Sequence, residues 1–150
     1  MTFNTKIMIA ELTADEGLRL EPYDDATGHT HKQGVPVVGY LTIGIGRNLD
    51  TNGITKDEAE YLLTNDINMV AGWLNVKLPW WTGMTDGRQR ALINMVFNMG
   101  TGGILKWPMF LSQLQSGNYE AAAATIKNSL WYTQVGNRAA RIANLIQYGD

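Results

Sequence analysis

Apolar residues at 3, 7, 8 and 12 recur at helical spacing and predict a first helix over 3–12. Thr13-Ala-Asp-Glu16 then has the form of a capping box, in which Glu16 would simply start a second short helix. From Asp24 to Asp50 the pattern changes. Gly28, Gly34, Gly39, Gly44 and Gly46 punctuate it, and Leu41, Ile43 and Ile45 alternate with Thr42, Gly44 and Gly46. Period two predicts a strand with one apolar and one small face, and a small face admits a ligand or another backbone. The region reads as a small antiparallel sheet with tight glycine turns.

Asn52-Gly53 is a turn signal, and Thr55-Lys-Asp-Glu58 is a stronger capping box. Ala59, Leu62, Leu63, Ile67, Val70 and Leu74 follow it at helical spacing and predict a helix over 55–76. Thr85 is expected to cap the next helix, whose apolar run through Ala91, Leu92, Met95, Val96 and Met99 should be buried on most sides as far as Gly100. Further helices are predicted over 109–115, over 119–127 with Asn118 as cap, and from a cap at Asn137 onward. The fold class is therefore α+β. A sheet lobe covers about 13–58, a connecting helix 55–76 and a helical lobe 77–150, with the helix over 3–12 packing on the last. There is no internal repeat and no βαβ alternation.

The chain has 150 residues, enough for one domain, and 45% of them are hydrophobic, enough for a core. A net charge of −2 argues against a nucleic-acid binder or a basic membrane-surface protein. With no cysteine, disulfides, thiolate metal sites and cysteine nucleophiles are excluded. No run of 18 apolar residues predicts a membrane span, and the N-terminus lacks a long signal-type apolar stretch, so synthesis and folding in the cytoplasm are expected. The charge sum hides a split. Residues 1–75 hold 5 Lys and Arg against 11 Asp and Glu, a balance of −6, and residues 76–150 hold 7 against 3, a balance of +4. Two lobes facing one substrate is one reading, and a small-sample accident is the other.

Few residues offer chemistry. His29 and His31 lie two apart without a placed third ligand, so a solvated loop is preferred to a metal site. Gly44-Ile-Gly46 is not followed by the helix of a dinucleotide fingerprint, and serine occurs in no Gly-x-Ser-x-Gly setting. Carboxylates remain. Glu16 lies among Leu12, Leu18 and Leu20, and partial burial would raise its pKa and suit it to donate a proton. Asp25 should lie at the polar mouth of the sheet and stay ionised. Two carboxyls in unequal environments suit glycosidic cleavage, and two ordinary surface acids are the alternative.

The segments Asp15-Glu-Gly-Leu-Arg-Leu20, Tyr23 with Asp25, Thr42-Ile-Gly-Ile-Gly46, Asn52 to Glu60, Ala91 with Ile93-Asn-Met-Val-Phe97, Met99-Gly100, and Trp131-Tyr132 with Asn137-Arg-Ala139 occur together in order. In these the sequence resembles the phage lysozymes of the T4 type, glycoside hydrolase family 24. The resemblance implies a lysozyme-like fold and hydrolysis of the β-1,4 bond between N-acetylmuramic acid and N-acetylglucosamine in peptidoglycan. It places the general acid on Glu16. The residue that activates water falls on Asp25, with Asp24 as the register alternative, and a hydroxyl that holds that water falls on Thr42. It implies inversion, with the carboxyls roughly 6.5–9.5 Å apart. Arg138 falls on the arginine that pairs with the catalytic glutamate. Phe97, Asn98, Met99 and Gly100 are implied as cleft wall. Trp107 would pack either on the cleft or in the bundle, and Trp131 in the core.

No cofactor and no metal are implied. The expected partners are peptidoglycan and a separate holin that opens the membrane to a monomeric endolysin, with no nucleic acid and no stable membrane insertion. The protein would be made in the host cytoplasm and act on the periplasmic or extracellular wall. A virion or effector lysozyme, a catalytically silent wall-binding module, and a binder of a wall-associated protein are the competing readings. Several features depart from the family. An insertion, His29 to Gly39, lies between Asp25 and Thr42, and would either extend the hairpin or displace Thr42. Arg47 replaces a histidine, and a pair with Asp66 is expected. From Gly46 to Thr55 no extra helical segment is expected. Leu130 replaces an arginine.

Overall fold

The computed structural model describes residues 3–150, and backbone contacts divide the chain into two units, one through Ala59 and one from Glu60 to Asp150. The division falls in the first turn of a long helix. The expected α+β order is present, a small antiparallel sheet followed by a run of helices. Counted by these units, the first carries 5 basic and 9 acidic residues and the second 7 and 5. The charge split is softer than by halves but keeps its sign.

The first unit opens with α1, Thr5–Glu16. Asn4 closes its start, its side-chain oxygen accepting from the N–H of Lys6 at 3.0 Å and of Ile7 at 3.3 Å. The second short helix that a capping box at Thr13 would have started does not exist, because α1 runs through it. Nothing between Leu12 and Glu16 breaks a helix, and the Thr13 hydroxyl donates back to the Ile9 carbonyl at 2.7 Å, as a threonine inside a helix does. Glu16 therefore ends a helix, just before Gly17.

Strands β1, Arg19–Asp24, β2, Leu41–Gly44, and β3, Arg47–Asn48, form an antiparallel sheet in sequence order. Tyr23 pairs with Thr42, and Thr42 in turn with Asn48. Pro22 fits β1 because β1 is an edge, where a missing N–H costs no ladder bond. The β2–β3 turn needs glycine at Gly44 and Gly46, whose φ values are 70° and 67°. The expected strand through Gly46 thus stops at Gly44. A one-turn helix, α2 at Leu49–Asn52, occupies the stretch where no helical segment was expected, capped by the Asn48 side chain on Thr51 N–H at 2.9 Å. The Thr55 box forms as predicted: Thr55 N–H donates to Glu58 Oε2 at 2.7 Å, and Glu58 N–H to Thr55 Oγ1 at 3.2 Å. It starts α3, Lys56–Lys77.

In the second unit a 3₁₀ turn at Pro79–Gly83 leads to α4, Asp86–Ile104, kinked at Gly100. Helices α5, Pro108–Gln115, and α6, Tyr119–Lys127, match their predictions, and Asn118 caps α6. A six-residue helix, α7 at Leu130–Val135, was not predicted, and α8, Asn137–Tyr148, ends the bundle. Two expected caps are corrected. Asn137 lies inside α8, whose cap position is Gly136. Thr85 does occupy the cap position of α4 but makes no side-chain capping bond, because its hydroxyl donates to the Gly149 carbonyl at 3.1 Å. Arg88 reinforces that junction through the Ile146 carbonyl at 2.9 Å and the Gln147 carbonyl at 3.2 Å, while its guanidinium lies over the Tyr119 ring.

Every buried apolar residue among those described lies at Leu74 or beyond, so the core belongs to the second unit. In the first unit the buried residues are polar, Asp24 at 6% and Thr42 at 4% exposure. A sheet without an apolar core must be held by other means, and those means form the candidate site.

Candidate active site

Four successive N–H groups lead into β2, and each meets a carboxylate. Val38 donates to Asp24 Oδ2 at 2.7 Å, Gly39 to Asp24 Oδ1 at 3.0 Å, Tyr40 to Asp25 Oδ1 at 2.7 Å, and Leu41 to Asp50 Oδ2 at 2.7 Å. Asp24 also accepts from Ala26 N–H at 2.9 Å. The two neighbouring aspartates are thereby distinguished. Asp24 is buried, with both oxygens on backbone donors. Asp25 is exposed, as expected for the mouth of the sheet, and is oriented through one oxygen.

The 29–39 segment builds no long hairpin strands. One isolated bridge, Tyr23 to Thr30, continues the pairing, and the rest crosses back irregularly. Thr42 lies in the ladder opposite Tyr23, with its hydroxyl donating to the Tyr40 carbonyl at 3.3 Å. Arg19 ties the start of the insertion down, donating to the Gly28 carbonyl at 2.7 Å and to Thr30 Oγ1 at 3.2 Å, over the Tyr23 ring. Glu16 is exposed rather than partly buried among its leucines. Its side chain lies against the β2–β3 turn: a Cβ on Gly46 would stand 3.1 Å from Glu16 Oε2. Arg47 pairs with Glu58 at 3.2 Å and donates to the Gly53 carbonyl, and so is taken by the capping box instead of the expected Asp66.

Two outcomes follow from this polar scaffold. A Cβ on Gly39 would overlap Asp25 Oδ1 and come within 2.8 Å of Ala26 N. Gly39→Ala should therefore displace the Tyr40 N–H from Asp25 and cost about 1–3 kcal/mol as an overpacked contact, measurable by urea denaturation. The second outcome concerns acid. The Val38 N–H, with those of Gly39, Ala26 and Thr27, holds the Asp24 carboxyl below its ordinary 3.8, against the opposing effect of burial. The Thr55 backbone and hydroxyl, with Arg47, hold Glu58 below 4.5 in the same sense. Carboxyls depressed on folding stabilise above their ordinary values, and the contribution is lost as pH falls through the folded ones. Amide exchange at Val38 and Gly39, relative to its intrinsic rate, should thus speed up as pH falls through and below the ordinary carboxyl value of 3.8. All five tryptophans lie in the second unit, so their emission should hold steady over that range. Unchanged protection at Val38 and Gly39 would refute this.

The remaining candidates lie in the second unit. Arg138 is half-buried and spent on Asn94, donating to its Oδ1 at 2.8 Å and its carbonyl at 3.4 Å. With Phe97, Arg90 and Arg141 it lines a groove of about 580 Å³. Asn98 accepts from the Trp131 indole at 2.7 Å, and Met99 packs on the core. Gly100 is the kink, with φ 77°. Trp107 packs in the bundle, edge-on to Phe110 at 5.9 Å and to Trp131 at 6.1 Å, while its outer side lines a cavity of about 570 Å³ with Met109, Gln113 and Thr125. Sequence reasoning missed Gly39, Tyr40, Asp50 and Arg19 as the supports of Asp25. Only Arg19 carried a signal, as part of the Glu-Gly-Leu-Arg-Leu segment.

A sequence profile of the phage lysozyme family matches residues 13–146. The pre-baseplate central spike protein Gp5 of Enterobacteria phage T4 is 33% identical over 98% of this chain, which spans only 29% of that protein's length. The probable T4-type lysozyme 1 of Dictyostelium discoideum is 29% identical, with 92% of each chain covered. The peptidoglycan hydrolase gp36 of Pseudomonas phage phiKMV is 30% identical over 86% of this chain and 14% of its own.

Proposed function

The chain belongs to the phage lysozyme family, and from that premise we propose that it hydrolyses the β-1,4 bond between N-acetylmuramic acid and N-acetylglucosamine in peptidoglycan. The observation that carries the reading is the way the first unit treats its acids. Asp24 is consumed by backbone donors, whereas Asp25, beside it, is exposed and aimed by a single N–H. That supports Asp25 over Asp24 as the base.

In this reading Asp25 takes a proton from water, and the water oxygen bonds to the anomeric carbon. The glycosidic bond breaks, and Glu16 gives its proton to the leaving oxygen. Thr42 helps hold the water. Two carboxyls and a water balance the reaction, which needs neither metal nor cofactor. Arg138, Phe97, Asn98, Met99 and Gly100 would contribute to substrate binding. A monomer acting on the wall, with a holin for passage, completes the proposal. Among the described residues no helix is long and apolar enough to cross a membrane. Two of the relatives are several times longer than the matched region, which favours a lysozyme unit within a larger virion protein as the second context.

Incubation with purified peptidoglycan is the direct test. Turbidity should fall, and new reducing ends should appear on muramic acid, first as the α anomer, since direct attack by water inverts a β bond. Binding to the wall without new reducing ends would sink the reading and leave a silent module.

A further inference from the structure

The proposed chemistry leaves the buried Asp24 without a part. Two of its backbone partners, Val38 and Gly39, lie 14 and 15 residues ahead, at the end of the 29–39 segment. The next residue, Tyr40, makes a double contact with Asp25: its N–H donates to Oδ1 at 2.7 Å, and its carbonyl accepts from Asp25 N–H at 3.1 Å. Val38, Gly39 and Tyr40 are consecutive, and planar peptides leave little slack between neighbouring N–H groups. Fixing the first two on one aspartate fixes the third on the other. The fit is tight, because Gly39 has no room for a Cβ against Asp25 and Ala26.

We propose that Asp24 is a positioning residue, clamping the end of the 29–39 segment so that Tyr40 N–H holds Oδ1 of Asp25 and leaves Oδ2 to take the proton from water. This rests on the reading of Asp25 as base. The insertion then belongs to the catalytic support rather than to the periphery of the fold. Asp24 acts only through Asp25 and touches no reacting atom. The insertion is anchored at its near end as well, by Arg19 on Gly28 and Thr30, so both ends of the segment are tied to β1.

A double-mutant cycle on soluble peptidoglycan oligomers tests this. Asp24→Asn in the otherwise unchanged protein should lower kcat about 10- to 100-fold, the scale of losing alignment at a reacting group, with KM little changed. In an Asp25→Asn background the same change should lower kcat no further, because the group it positions is already gone. An equal loss in both backgrounds would overturn the proposal and make Asp24 merely structural. So would an unchanged kcat in Asp24→Asn while Asp25→Asn is impaired. Full activity in Asp25→Asn alone would instead remove the assignment of the base. If Asp24→Asn fails to fold, Val38→Pro deletes one of the clamp's N–H donors and leaves both aspartates in place. It should show the same dependence on Asp25.

Discussion

Glu16→Gln is expected to slow peptidoglycan clearing about 10²- to 10⁴-fold, the usual worth of a positioned general acid. Glutamine keeps the size and polarity of the side chain but cannot deliver a proton to the leaving oxygen. The substitution should be well tolerated by the fold. Glu16 is exposed at the last position of α1, and its contact with the Gly46 turn asks only for a side chain of this length. Binding to insoluble peptidoglycan should persist, so a pull-down separates lost chemistry from lost recognition. Equal clearing by the variant and the parent would refute Glu16 as the acid, and loss of both binding and clearing would point to a structural defect instead.

Phe110→Ala should produce the largest loss of stability, about 3–5 kcal/mol, as for a large aromatic removed from a closed core. Phe110 has no exposed surface and is among the largest fully buried side chains. It stands edge-on to Trp107, which in turn meets Trp131 edge-on, so the indole beside the vacated space is held by a second contact and cannot freely collapse into it. Against a typical domain stability of about 5–15 kcal/mol this is a severe loss. Urea denaturation followed by tryptophan emission would measure it, since every tryptophan reports from the second unit. A loss below about 1 kcal/mol would mean that the bundle repacks around the site more freely than its packing suggests.

Much of the secondary structure was legible because its causes are local. Thr55 to Glu58 satisfies two helix-start donors within four residues, and α3 begins there. Helices α5 and α6 follow from Pro108 at a helix start and from Asn118 as a cap. The same rules misled where two local patterns competed. Thr13 and Glu16 have capping-box form, but the helix already running from Thr5 meets no breaker before Gly17 and continues through them. Helix α7 was missed because six residues are too few to show a period. Thr85 takes the expected cap position of α4, but its hydroxyl went to the chain's far end, 64 residues away.

Read alone, the chain settles its fold class, its family resemblance and a short set of acids able to do the chemistry. These depend on side-chain type and on spacing of a few residues. The division of labour among those acids depends on the folded chain. Asp24 and Asp25 are chemically identical neighbours, and no local pattern ranks them. Their difference comes from N–H groups 14 and 15 residues away, which β-pairing and the returning insertion bring within 3.0 Å. The fate of Trp107, of Arg47 and of Gly39 was decided in the same way, by partners whose proximity exists only once the chain has closed on itself.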